Sequence, residues 1–323
     1  MTGCTGVLHT ASLHAPNAPC FTEAEFMDIN VKGTATVLRA ARAAGARAFV
    51  YTSTTSQMVT ADVKSVEARG GFAFLTIGGA AGSAAAQPRN KYGRSKAEAE
   101  RLCRQEVEGT GGLAVAILRA PRFFPEDGFD SDALEKASQG GGGGGGGGGT
   151  GERDESAEQA VQGSSRGARL KATELLGVRA SLVDLVDAHL RALARAADAA
   201  AATAATAREA WHATYVLTPP LPFDVGEVQS NSPHADSSSS SGGADHAAAL
   251  VAQRLPNAES LFAAEGWEPL RSLSRAYDGS LARKPVAEGG LGWKPRWTFE
   301  SLLSALAGRR GAAAREDARL GRY

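Results

Sequence analysis

The sequence predicts an α/β fold: a doubly wound parallel sheet with a smaller α/β lobe. Three observations carry this. Short apolar runs recur at residues 6–12 (GVLHTAS), 49–56 (FVYTSTTS) and 113–118 (LAVAIL). Such runs read as strands buried on both faces, as a parallel sheet requires. Segments with helical spacing separate them, and strand alternating with helix at this interval argues for parallel strands wound with helices.

Taken in order, residues 6–12 form the first strand. Asn30-Val31-Lys32-Gly33-Thr34 then leads to Val37, Leu38 and Ala41, whose spacing gives a helix one apolar face. Gly45 suits a left-handed stop for that helix. Residues 49–56 begin apolar and open into Thr52, Ser53 and Thr54, which places hydroxyls at the carboxyl end of a buried strand. Open α/β sheets bind ligands outside those ends. Tyr92-Gly93-Arg94-Ser95-Lys96 starts a helix, and the four-residue spacing puts phenol and ammonium on one face. A cation beside a phenol favours phenolate and lowers its pKa from about 10, which suits proton transfer in alcohol–carbonyl chemistry. The strand at 113–118 is followed by Arg119-Ala120-Pro121-Arg122. A further helix begins near Ser181 and extends through the Ala/Thr tract at 198–209.

Low-complexity inserts divide the second half. An unbroken run of ten glycines occupies 140–149 within a polar stretch at 130–166, too costly in backbone entropy to order. The serine-rich stretch at 229–245 reads as disordered. The expected organisation is a wound-sheet domain over 1–130, an insert over 131–167, and a further region over 168–323. Formal net charge is zero with 43 % hydrophobic residues in 323, so nothing calls for nucleic acid or a charged membrane surface. Cys4, Cys20 and Cys103 lack metal-like spacing and fit a reducing compartment. No apolar run approaches the ~18–20 residues of a membrane span, and the first residues form no signal peptide.

Five blocks in order resemble the extended short-chain dehydrogenase/reductase superfamily, in its NAD(P)-dependent epimerase/dehydratase branch. They are VLHTAS, NVKGTATVLRAARAAGARAFVYTSTTS, YGRSKAEAERLC, AVAILRAPRFFPE and LGWKPRWTF. KATELLGVRASLVDLVDAHLRAL also looks like the branch's substrate-side region. The resemblance implies a Rossmann-like fold that binds NAD or NADP. It implies that Tyr92 is the catalytic acid/base and that Lys96 holds the nicotinamide ribose and depresses the Tyr92 pKa. Thr54 matches the residue that bonds the reacting oxygen, with Thr52 and Ser53 lining the same strand end. Asn30 matches the asparagine that supports the active-site helix. Thr10, Ala11 and Ser12 would pass beside the cofactor, and Ala120, Pro121 and Arg122 would close over the nicotinamide. A small-molecule substrate, a cytoplasmic setting and a homodimer through the helices of NVKGT and YGRSK are further expectations of the resemblance.

One departure matters. The superfamily opens with a strand and a G-x-x-G-x-x-G turn that cradles pyrophosphate. Gly3 and Gly6 fit G-x-x-G, but His9 stands where the third glycine belongs. The expectation is a sheet lacking its first βαβαβ portion, with the edge of the strand at Val7–Thr10 exposed. Three functions follow: an epimerase/dehydratase acting on a nucleotide sugar or similar hydroxylated metabolite, a carbonyl reductase of the dihydroflavonol or 3β-hydroxysteroid type, or a binding module without turnover. Arg119, Arg122 and Lys171 would favour a diphosphate-bearing substrate. Among the remaining residues, His9 could bond a backbone carbonyl or the cofactor, and Asp184 reads as serving a helix dipole. His189 reads as packed or half exposed, Trp267, Trp293 and Trp297 as packing the C-terminal lobe, and Cys103 as core.

Overall fold

The computed structural model describes residues 3–78, 87–110, 113–124, 176, 178–206, 211–230, 243–264 and 269–319. The predicted insert at 131–167, Lys171 and Trp267 lie outside these residues. Among the described residues, eight strands run in chain order: β1 (Gly6–His9), β2 (Ala48–Thr54), β3 (Ala73–Leu75), β4 (Ala114–Ala120), β5 (Arg122–Phe124), β6 (Arg179–Ser181), β7 (His212–Val216) and β8 (Arg275–Tyr277). The central sheet is parallel with order β1-β2-β4-β7. Two smaller parallel pairs, β3 with β8 and β5 with β6, flank it. This is the predicted α/β Rossmann-like architecture, and β1 has one neighbour among the described residues.

Why the central strands are apolar follows from what covers them. A short helix α1 (Glu23–Phe26) passes through a π turn at Met27–Lys32 into α2 (Gly33–Ala43). Helix α3 (Ala61–Ala68) follows β2, and α4 (Lys91–Thr110) precedes β4. Phe49, Tyr51, Val115 and Ile117 face α2 and α4, where Leu38, Ala41, Ala99 and Cys103 meet them. Helix α5 (Leu182–Thr206) covers the other face, with Leu185, Ala188 and Ala192 against Val50, Ala116 and Leu118. Strand positions therefore alternate between two helical layers, and neither face admits solvent. As expected, α2 stops at a left-handed glycine: Gly45 has φ 75° and donates to the Arg42 carbonyl.

The first strand is shorter than predicted. It ends at His9, and Thr10–Ser12 leave as a loop. The reason is a competing partner: the Asn30 side chain takes both the N–H and the C=O of Leu13, so the backbone turns away from the sheet. Of the serine-rich stretch read as disordered, residues 231–242 lie outside the described residues, and its two ends are helical. Ser230 closes α6 (Val225–Ser230) and Gly243 opens α7 (Gly243–Arg254).

Beyond α7, α8 (Ala258–Ala264) and α10 (Phe299–Arg319) form a separate core around Phe262, Leu302, Leu303 and Leu306, with the four-residue α9 (Ser280–Arg283) between them. Trp297 packs on this lobe. Trp293 does not: it is fully buried against the sheet, with Leu118, Leu185 and Tyr215. Its indole N–H donates to the Asp184 carbonyl at 2.9 Å, and the Asp184 carboxylate accepts the backbone N–H groups of Arg296 (2.9 Å) and Trp297 (3.0 Å). Asp184 thus ties the LGWKP segment to the start of α5 rather than merely answering a helix dipole. Glycine permits the tight approach, because a Cβ at Gly290 would collide with the Lys284 carbonyl. Trp293→Ala should cost about 3–5 kcal/mol in urea denaturation. Asp184→Ala should cost about 1–2 kcal/mol by orphaning two part-buried backbone N–H groups, and Asp184→Asn, which keeps one acceptor, should cost less.

Candidate active site

Helix α4 carries Tyr92 and Lys96 into the carboxyl end of the sheet, and both are buried, at 4 % and 2 % exposure. Gly93 makes the approach close: a Cβ there would stand 3.0 Å from Pro88 Cβ and 3.1 Å from Asn90 Oδ1. Asn90 caps the helix by accepting the Gly93 N–H at 2.6 Å. Tyr92 is enclosed by Leu13, Ala18 and Phe26 from the segment that precedes α2. The Lys96 ammonium stands 4.5 Å from the centroid of the Tyr51 ring.

That placement corrects one expectation. The phenol of Tyr92 is not depressed by its lysine. Burial pushes it up to about 12, with the Thr54 hydroxyl acting in the opposite sense. Lys96 is itself pulled down to about 8 by burial, which Cys103 and Glu100 partly oppose. Spacing reveals a shared helix face; it does not reveal how thoroughly that face is desolvated.

Asn30 lies in the π turn and is 1 % exposed. Its Oδ1 accepts the Leu13 N–H at 2.7 Å, and its Nδ2 donates to the Leu13 carbonyl and to Ser95 Oγ at 2.9 Å. Ser95 Oγ in turn donates to the Tyr92 carbonyl at 2.9 Å. Asn30 therefore locks the first turn of α4 to the loop that leaves β1. Its own carbonyl accepts from Thr34 Oγ1, leaving that oxygen to accept from His9 Nε2 at 3.0 Å. His9 is thus satisfied inside the protein, and burial, then Lys96, pull its pKa down to about 4.

The hydroxyls ending β2 divide. Thr54 sits beside Tyr92 and accepts the Ser56 N–H at 3.1 Å. Ser53 accepts from Gln57 Nε2 at 2.7 Å. Thr52 points to α5, where it meets His189 Nε2 at 2.8 Å. His189 Nδ1 lies 2.7 Å from the Leu185 carbonyl, so Nδ1 carries the proton and Nε2 accepts. Arg119 is not a substrate-facing cation: it is buried and bonds Glu100 through Nε and a terminal nitrogen, each at 3.0 Å. Arg122 is exposed, Ala120 is half-buried and Pro121 is buried, while Thr10 and Ala11 are exposed and Ser12 is half-buried.

His14 was not singled out by sequence reasoning. Its ring lies 5.0 Å from that of Tyr92; the residue as a whole is exposed, and the partial desolvation of the ring, followed by Lys96 and Arg122, pulls its pKa down. The only sequence signal was its position five residues beyond His9, which marks nothing without knowledge of where Leu13 is held. Among the described residues, no three His, Cys, Asp or Glu side chains form a group that could hold a metal ion, and no helix is long and apolar enough to cross a membrane.

Burial of Lys96 has a measurable consequence. Its folded pKa, about 8, lies below the usual 10.5, so between these values the unfolded chain binds the extra proton and stability rises with pH. Tyr92 opposes this only above about pH 10. From about pH 8 to pH 10 the wild-type chain should gain roughly 2 kcal/mol relative to Lys96→Met in denaturant titrations. Parallel profiles for the two proteins would contradict the buried, depressed lysine.

The family model for the NAD dependent epimerase/dehydratase family matches residues 1–139. No curated protein matches the chain by sequence. Among solved structures, a short-chain dehydrogenase/reductase superfamily protein from Agrobacterium tumefaciens with bound NAD is similar at 20 % identity and TM-score 0.53. The match covers 98 % of this chain and 82 % of that one. A UDP-glucose-4-epimerase from Stenotrophomonas maltophila, with bound NAD and formylated UDP-arabinopyranose, is similar at 15 % identity and TM-score 0.50. Here 97 % of this chain and 77 % of that one are covered. A partial consensus L-threonine 3-dehydrogenase is similar at 16 % identity and TM-score 0.50, over 96 % of this chain and 79 % of that one. These likenesses establish the shared fold, and residues 1–139 are similar to the NAD dependent epimerase/dehydratase family.

Proposed function

We propose that this site performs nicotinamide-dependent alcohol–carbonyl chemistry of the epimerase/dehydratase type on a nucleotide sugar or a similar hydroxylated metabolite. The observation that carries the reading is the Tyr92 phenol bonded to Thr54 at the carboxyl end of a parallel sheet, with Lys96 one turn further along the same helix face and against Tyr51. Lys96 makes no hydrogen bond among the described residues, so its three donors stay unspent against the Tyr51 ring. A buried ammonium in that state fits the ribose hydroxyls of NAD or NADP, which would supply or accept the hydride. Thr10, Ala11 and Ser12, at the exit of β1, fit the wall beside such a dinucleotide, and Pro121 and Arg122 fit its far side.

The chain's own residues handle the proton. Tyr92, held at about 12, is protonated at neutral pH and is ready to give its proton to the oxygen of a carbonyl under reduction. In the opposite direction the Tyr92 oxygen, once it has given up its own proton, receives the alcohol proton. Thr54 donates to the substrate oxygen and fixes its distance from Tyr92.

A second reading, a carbonyl reductase for a less polar alcohol, gains from one observation. Glu100 neutralises Arg119, and Phe123 beside Arg122 is 52 % exposed, so the mouth is less cationic than the sequence implied. Substrate trials with a UDP-sugar set against an apolar ketone separate the two. Tyr92→Phe should reduce turnover about 10²–10⁴-fold while leaving dinucleotide affinity within a few-fold. Failure of the full chain to bind NADH or NADPH, read by cofactor fluorescence, would overturn both readings in favour of a module without turnover.

A further inference from the structure

Tyr92, Lys96 and Glu100 succeed one another at intervals of four along α4 and so share one face. Glu100 is fully buried. Its carboxylate receives a two-pronged bond from Arg119, a bond from Arg104 at 2.6 Å and a short bond from the Gln57 amide. The same Gln57 nitrogen reaches Ser53 Oγ at 2.7 Å. Ser53 and Arg119 are register partners across β2 and β4. One carboxylate thus gathers the ends of both central strands, and Ser53 immediately precedes Thr54.

We propose that Glu100 is a positioning residue for the Tyr92/Lys96 pair: its carboxylate ties the carboxyl ends of β2 and β4 to the working face of α4 and supplies the negative charge against which the buried Lys96 ammonium is held. The groups around Lys96 single it out. Tyr51 faces Lys96 from β2, His9 from β1, His14 from the loop beyond, and Tyr92, Glu100 and Cys103 from α4 itself. The Cys103 thiol and the Tyr92 phenol are pushed up by burial, and both histidines are pulled down, so all four are neutral at pH 7. Burial alone would raise Glu100 as well, but Arg119 and Arg104 outweigh it and bring the carboxyl below its ordinary value. Glu100 is the one anion in this set. Two guanidiniums share it, so the cluster leaves net positive charge near Lys96 once the carboxylate is removed.

The proposal takes its functional meaning from the reading of Tyr92 and Lys96 above, but its test reads Lys96 directly and needs no substrate. The full chain is labelled at the lysine ε-carbon with carbon-13, the Lys96 resonance is assigned by its loss in Lys96→Met, and its titration is followed by NMR. Glu100→Gln should lower the Lys96 titration by about one pH unit or more. Arg119→Gln, which retains the carboxylate and removes a cation, should raise it. A residue that only held the fold together would move both variants in the same direction or neither. Should Glu100→Gln fail to fold, the charge-relieved double variant Glu100→Gln/Arg119→Gln is compared with Arg119→Gln and should titrate lower. Unchanged Lys96 titration on loss of Glu100, in whichever pair folds, overturns the proposal. Opposite shifts combined with no dinucleotide binding would leave it standing and remove the proposed function instead.

Discussion

Strands β2 and β4 have no face turned to water, and that constraint organises the molecule. Helices α2 and α4 close one side and α5 the other, so polar side chains are tolerated only where a partner is supplied. Along β2 the residues are apolar until Tyr51 and hydroxylic from Thr52 to Thr54, and each of those hydroxyls lies beside a polar partner. Chemistry gathers at the carboxyl end because the rest of the sheet cannot accommodate it. Charge obeys the same logic: Glu100 and Arg119 are buried together, and Lys96 is buried against an aromatic ring.

Local patterns in the sequence were read correctly where the physics is local. Gly45 stops α2 because a left-handed residue is needed there, and the Y-x-x-x-K spacing does place both side chains on one face of α4. The apolar runs at 49–56 and 113–118 became β2 and β4 because double burial leaves a compositional mark. What escaped were partners separated by long stretches of chain. Arg119 looked like a cation for substrate because Glu100 is 19 residues away in sequence. Trp293 looked like part of the C-terminal lobe because nothing near it names Asp184, 109 residues earlier. His14 carried no motif at all, since its place against Tyr92 is set by Asn30 gripping Leu13.

The π turn at Met27–Lys32 shows how a small backbone irregularity serves the site. Its extra residue per turn lets Asn30 present its amide to Leu13 and Ser95 at once, while its carbonyl receives Thr34. A regular helix would rotate these groups by a fraction of a turn. The loop from β1, the start of α4 and the imidazole of His9 are thereby held by a single side chain and its own main chain.

The bond between Trp293 and Asp184 has a consequence during synthesis. Helix α5 can lie on the sheet as soon as it emerges, but its first turn lacks its indole and backbone partners until the LGWKP segment appears 109 residues later. At ribosomal speeds of ~5–20 residues per second, the interval is roughly 5–20 s. Throughout it the nascent chain carries a sheet face roofed by a helix whose end is loose, with buried Asp184 still seeking donors. A late segment is therefore the latch on a layer laid down well before it, and a ribosome that stalled before it would leave that layer open to chaperones.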